Sequence, residues 1–542
     1  MFWLFLALLV LPIYANLHQL FPVRWDGDNL SNVSLDVLEG THPPSWLDGY
    51  FVCQISGSYG PYDQPGVGAE HLFDAIAAVA SFSIVSTAVS YTARYYPQHR
   101  YDIWQYYERD FERSGIAYPT AFSMKKADSF EAWNRIPSNG REFPSPNVDF
   151  WRVGRSVLAG TEYFTVGPKI NPENLDRFEA YPFQDVPEDS PMSNPNILKM
   201  NMPIHARWDR DGLIWNTVPT FDQKTLALQQ LIFTINANGQ RKVEGVYDWG
   251  LYDPSLCDQK YGLYNGGNYS TIPGYMHSIT STENYIILPM SSSPVLFPCQ
   301  APSVRKGDLL SAPEWRFDAD TPLRFLIFHK KTKKFLPLMW ASTSRLPTHQ
   351  FNAYESGTKV FADMISYDNM DPYTKYTRRD FLINNPYPAE TRLSRFILDM
   401  EAGTVSELDL APFQKFSLEF CQINHAYDER PYRYGYAVAF PFATSSAIMK
   451  LDFQDKSGRN NLVFEPGSDV AVAEPQFVAQ PNAIAEDDGI LVFRGSDLRL
   501  NQTLLFLINA TDMTLLTKAV LQSTVTPLGL HNQFYFRADL DV

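Results

Sequence analysis

The chain reads as short apolar runs cut by tight polar turns. LIFTINANGQRKVEGVY (231–247) places Asn238-Gly239 between two runs, the signature of a two-residue hairpin loop. PLRFLIFHKKTKKFLPLMW (322–340) repeats the plan with a lysine-rich turn, and RFILDMEAGTVSELDL (395–410) turns near Gly403. LFLINATDMTLLTKAVL (505–521) turns near Thr511-Asp512, and Asp488-Gly489 stands just before the run ILVF. SFSIVSTAVSYTARYY (81–96) keeps a loose period of two. Helical period is scarce; HLFDAIAAVASF (71–82) would pass as a short helix, but β-branched and aromatic residues follow it at once. Many short strands without a break in composition predict one all-β body. At 542 residues a sandwich or a single barrel is outgrown, whereas a β-propeller accommodates this length by repeating four-stranded blades around an axis.

Composition narrows the partners. The formal net charge is −15 and the pI about 5.2, which argue against nucleic acid or an anionic membrane surface as the main partner. Lys330, Lys331, Lys333 and Lys334 lie between two apolar runs and read as a solvated hairpin tip. Hydrophobic residues make up 45% and aromatics 14%, enough for a large core. No apolar run reaches the length of a membrane span. The opening MFWLFLALLVLPIYA (1–15) has the length of a signal-peptide core, although no Lys or Arg precedes it. It predicts a leader over 1–15, a mature chain over 16–542 and secretion; a buried N-terminal strand is the other reading. The sequons at Asn32, Asn268, Asn501 and Asn509 agree with a secreted glycoprotein. Of four cysteines, Cys257 and Cys299 either pair in an oxidising compartment or stay buried thiols.

Common catalytic signatures are missing: no G-x-S-x-G, no Walker loop, no complete dinucleotide fingerprint and no H-E-x-x-H. Four of the ten histidines remain as the candidate chemistry: His205, His277, His349 and His531. The first three are spaced 72 and 72 residues apart. A repeat of that size suits seven large blades, with equivalent positions near the axis. Imidazoles converging there would form a transition-metal site. Each one taken alone reads more readily as a core histidine satisfying a hydrogen bond, and only the equal spacing brings the metal reading level with it.

The local sequences also resemble the carotenoid cleavage oxygenases, the non-haem iron family that includes the animal carotene oxygenases and the visual-cycle retinoid isomerase. From SWLDGYFVCQISGSYGPY (45–62) the resemblance runs to the C-terminus. AEHLFDAIAAVASFSI, HARWDRDGLIWN, YMHSITSTENYIILP, HQFNAYESG, LEFCQINHAYDERPYRYGYA, AEPQFVAQPNAIAEDDGILV and LGLHNQFY each resemble a family block, in the family's order. The resemblance implies a seven-bladed β-propeller capped by loops and short helices. It implies one Fe(II) held by His205, His277, His349 and His531, with O2 as co-substrate. Glu419 and Glu474 match glutamates that orient the ligands; Glu162 lies near the place of a third but one residue out of register. The implied reaction is cleavage of a C=C bond in a carotenoid or apocarotenoid, an apolar polyene, to carbonyl products, with no obligate protein partner. A retinoid isomerase-like activity, stilbene cleavage and a non-catalytic secreted carrier of carotenoid or retinoid are the alternatives. The family's Pro-Asp-Pro-Cys-Lys loop has no counterpart near 122–141, and the apolar loop Pro294–Pro298 reads as a membrane-touching mouth or as a packed inter-blade loop.

Overall fold

The computed structural model describes residues 30–40, 42–58, 72–96, 146–162, 167–176, 178–199, 202–253, 255, 272–293, 317–375, 377, 390–411, 417–442, 445–497, 499–522 and 524–542. The expected leader over 1–15, Asn268, Cys257, Cys299, the 122–141 stretch and the Pro294–Pro298 loop lie outside these residues. Among them no helix is long and apolar enough to cross a membrane.

Seven sheets form the seven blades of a β-propeller. Blade 1 is the meander Asp149–Val153, Ser156–Gly160, Pro168–Ile170 and Phe178–Ala180. In blade 2, Ile197–Lys199 and Arg207–Trp208 both pair with Ile214–Asp222, followed by Ala227–Ile235 and Gln240–Leu251, with Gln184–Val186 on the outer edge. Blade 3 holds Thr280–Ser281, Tyr285–Met290 and Arg324–His329, edged by Lys334–Phe335 and Met339–Trp340. Blade 4 is Leu346–Ser356, Lys359–Tyr367, Arg392–Asp399 and Thr404–Asp409; blade 5 is Ser417–Gln422, Tyr434–Phe442, Ser445–Asp452 and Leu462–Phe464.

The chain ends interlock in the last two blades. Asp36–Gly40 adds the outer strand to blade 6, beyond Leu515–Leu521. In blade 7 the C-terminal strand Asn532–Phe536 is innermost and pairs with Gly49–Ser58. Ile76–Val85, Ala88–Tyr95 and Leu30–Ser34 complete that blade. His531 therefore reaches its position only because an N-terminal strand receives the residues that follow it.

Each sheet is covered on both faces, which explains the continuous apolar runs in place of strict alternation. In Gly49–Ser58, Phe51, Cys53 and Ile55 pack with Val492 and Leu505 of blade 6, while Tyr50 and Val52 pack with Phe150 and Val157 of blade 1. Equivalent apolar layers join every other pair of successive blades. Full burial of a Phe or Leu in such a layer is worth ~1.5–3 kcal/mol, so the ring is held by many such contributions. Cys53 and Cys421 are buried free thiols in these layers.

The predicted hairpins form where the turn residues stand. Gly239 and Gly403 take φ of +76° and +66°, which the tight turns require. HLFDAIAAVASF is not a helix: a single 3-10 turn, Leu72–Asp74, leads into the strand Ile76–Val85. Sheet pairing with Gly49–Ser58 overrides its helical composition. That turn, with the short helix Asp371–Thr374, is the described part of the cap. Phe73 and Tyr373 meet there at 5.6 Å between ring centroids. The lysine turn is only partly a solvated tip. Lys331 and Lys334 are exposed, but Lys330 is buried against Glu429 of blade 5 at 2.6 Å. Lys333 pairs with Glu244 of blade 2 at 2.8 Å. Acidic residues from other blades, invisible in the local sequence, claim these two cations.

Candidate metal centre

Each blade brings one titratable side chain to the axis, at the place where its innermost strand starts or breaks. In ring order they are Asp149, His205, His277, His349, Glu419, Glu474 and His531. The four imidazoles converge. Nε2 of His205 and of His277 are 3.1 Å apart. The His277–His349 and His349–His531 Nε2 pairs are each 3.2 Å apart. One ligand atom from each of the four lies within 4.8 Å of all the others.

The opposite nitrogen of every ring meets a carboxylate. His277 Nδ1 contacts Glu162, and His349 Nδ1 contacts Glu419. His531 Nδ1 lies 3.1 Å from Glu474 Oε1, and His205 Nδ1 lies 3.1 Å from Asp149 Oδ2. An ionised carboxylate only accepts, so each imidazole places its proton on Nδ1 and turns an unprotonated Nε2 inward. Four lone pairs then face one another in a buried space with no proton between them. A cation relieves this arrangement, and neutral imidazole nitrogen suits a first-row transition ion. The donor set thus fits the metal that the sequence resemblance implies.

The carboxylates are themselves held. Glu162 accepts from the Tyr275 hydroxyl at 3.1 Å, and the Tyr373 hydroxyl lies 3.1 Å beyond. Glu419 accepts from Tyr367 at 2.5 Å and Thr348 at 2.9 Å. Glu474 accepts from the Asn532 backbone N–H at 2.8 Å and Gln422 Nε2 at 3.1 Å. Asp149 accepts from the Phe150 N–H at 2.7 Å and Gln533 Nε2 at 3.2 Å. Phe420 follows Glu419 at a break in the ladder with φ of +57°. Its ring packs 5.6 Å from that of His349 and 5.2 Å from that of His531. A non-glycine residue there is strained, and the strain coincides with the close approach of its ring to two of the imidazoles.

Burial sets the protonation of the metal-free site. It lowers His205 and His349 and takes His531 down to about 4. It pushes Asp149 up to about 6 and Glu474 up to about 7. Glu419 differs: burial pulls it upward, but His349, Tyr367 and Thr348 together hold it below the ordinary carboxylate range. Tyr275 and Tyr367 lie well above the usual phenol value through burial and the adjacent carboxylates, so both remain donors.

The structure brings the four histidines, Glu419 and Glu474 together. Glu162, one residue out of register in the sequence, nevertheless reaches His277 from the turn after the second strand of blade 1. Asp149, Tyr275 and Tyr367 went unread. For Asp149 no local signal was available: its place at the start of the innermost strand of blade 1 appears only in the fold.

The sequence profile of the retinal pigment epithelial membrane protein (RPE65) family matches residues 22–535. The chain belongs to this family. Among its relatives, the carotenoid isomerooxygenase of Galleria mellonella is 24% identical over 532 residues, covering 92% of this chain and 93% of the relative. The β,β-carotene 15,15′-dioxygenase of Mus musculus is 23% identical over 486 residues, covering 83% and 80%. A Synechocystis apocarotenoid oxygenase mutant superposes with a TM-score of 0.72 at 18% identity, over 97% of this chain and 99% of that one. That likeness shows the propeller fold. The family to which the chain belongs thus includes carotenoid oxygenases.

Proposed function

We propose that the protein is a non-haem Fe(II) dioxygenase that cleaves a C=C bond of a carotenoid or apocarotenoid. The observation that carries this reading is the inward convergence of four Nε2 atoms, each backed through Nδ1 by a carboxylate. His205, His277, His349 and His531 would hold the ion. Bound there, Fe(II) supplies the redox chemistry by which O2 adds to an electron-rich double bond, one oxygen atom leaving in each carbonyl product. The protein's own part is positional. Asp149, Glu162, Glu419 and Glu474 keep each imidazole in one tautomer and one direction. Phe420 shields the His349 and His531 rings from water. Tyr275, Tyr367, Met370 and Tyr373, with Phe73 and Phe317, form an apolar and aromatic wall beside His277, suited to a long, flat hydrocarbon.

The test is iron-loaded protein incubated under O2 with carotenoids, apocarotenoids, retinyl esters and stilbenes, read by product mass. Paired carbonyl fragments of a polyene support the proposal. An isomerised retinoid or a cleaved stilbene would reassign the substrate. No product together with less than about half an iron per chain after anaerobic loading would leave a carrier. We further propose passage through the secretory pathway. The Asn32 and Asn501 sequons are exposed and accessible to glycosylation. A mass loss on enzymatic deglycosylation of protein from a eukaryotic host would support this, and its absence would refute it.

A further inference from the structure

We propose that Asp149 is a fourth carboxylate of the metal centre, a positioning residue that holds His205 as the three glutamates hold the other imidazoles. This rests on the metal-site reading above. Its Oδ2 lies 3.1 Å from His205 Nδ1. Its Oδ1 accepts from the Phe150 N–H at 2.7 Å and from Gln533 Nε2 at 3.2 Å. One oxygen is clamped by blades 1 and 7, and the other is aimed at the imidazole of blade 2. The side chain is buried, at 7% exposure, where an acceptor without donors would be costly. Two of its donors belong to the scaffold, and the third is the histidine.

Topology gives independent support. Asp149 is the first residue of the innermost strand of blade 1, the seat from which each other blade directs a histidine or glutamate toward the axis. Glu162 also comes from blade 1, but from the turn beyond its second strand, and it reaches past blade 2 to His277. Asp149 meets the histidine of the adjoining blade, as Glu419 meets His349 and Glu474 meets His531. Blade 2 is thus joined to Asp149 by the same carboxylate–imidazole contact found twice elsewhere in the ring, and blade 7 by the Gln533 amide.

With four neutral imidazoles, all compensating charge at the ion must come from their partners. A fourth carboxylate makes His205 a better donor and favours Fe(III) over Fe(II). A merely structural Asp149 would tie blade 1 to blade 7 through Gln533 and leave the metal indifferent. Full-length Asp149→Ala, Asp149→Asn and Gln533→Leu distinguish these roles. The readouts are Fe(II) affinity by anaerobic chelator competition, the Co(II) electronic spectrum, the Fe(III)/Fe(II) potential and melting of the metal-free protein.

The Ala variant should bind Fe(II) about 10- to 100-fold more weakly, with a changed Co(II) spectrum, while its metal-free melting drops no further than that of Gln533→Leu. Asp149→Asn keeps an acceptor oxygen but not the charge; it should recover much of the affinity and shift the potential upward. Wild-type affinity in Asp149→Ala would overturn the proposal, as would an unchanged potential and affinity in Asp149→Asn should the Ala variant fail to fold. Wild-type protein that binds no iron would instead overturn the metal-site reading itself.

Discussion

The two halves of the histidine ring are backed by different chemistry. Around His277 and His349, the carboxylates Glu162 and Glu419 accept from hydroxyls: Tyr275, Tyr367 and Thr348. Around His531 and His205, the carboxylates Glu474 and Asp149 accept from amides: the Asn532 and Phe150 N–H groups, Gln422 and Gln533. Glu419 stays below the ordinary carboxylate range, whereas Glu474 rises to about 7 and Asp149 to about 6. Desolvation pulls all three upward, so burial alone does not decide charge. Each accepts from three donors, so the closeness of the donors decides it: Tyr367 and Thr348 approach Glu419 to 2.5 and 2.9 Å beside its own histidine, whereas His531 and Gln422 each stand 3.1 Å from Glu474. Glu419 is built to be charged before metal arrives; Glu474 and Asp149 become fully charged when metal arrives.

The strongest way to break this comparison is to remove a ligand. His277→Ala should abolish turnover and lower iron stoichiometry, measured by metal analysis and product formation; retained activity would overturn the site. Next, Glu419→Gln should weaken Fe(II) binding by about 10- to 100-fold, and Glu474→Gln should weaken it less, because Glu474, raised to about 7, is only partly ionised near neutrality in the metal-free protein whereas Glu419 is held ionised. Equal losses in chelator competition would erase the distinction between the halves.

A pH series sharpens it further. Groups raised to about 6 and about 7 hold protons below those values, and metal binding expels them. Fe(II) affinity should therefore fall as pH drops through about 7 toward 5, and Glu474→Gln should flatten the slope. His531, already neutral above about 4, does not contribute in that range. The same raised values mean that the metal-free fold gains stability from these groups at low pH and loses it as pH rises through about 6 and 7. The smallest expected effect belongs to Tyr367→Phe. Loss of one hydrogen bond to Glu419, about 1–2 kcal/mol, should weaken metal binding several-fold and leave the ligand set intact.

Much of this centre was legible because its parts carry local signatures. Each histidine sits in its own short motif, and the 72-residue intervals of His205, His277 and His349 follow the blade repeat. Glu419 and Glu474 lie in recognisable blocks. Glu162 was ambiguous because a turn, not a strand, delivers it, and turns tolerate shifts of register. Asp149 was unreadable in NVDFW, where an aspartate among apolar residues gives no sign of what it faces. The same blindness affected Lys330, whose carboxylate partner Glu429 is 99 residues away.

By itself the sequence determined the all-β class, the hairpins with their glycine turns, and which imidazoles are available for a metal. These follow from local periodicity, turn chemistry and short motifs. Only the tertiary structure decided which carboxylate faces which ring, that Asp149 completes the set, and how each group is charged. Those properties depend on contacts between blades and on exclusion of water from the axis, and both arise only when the C-terminal strand closes the ring against the N-terminal one.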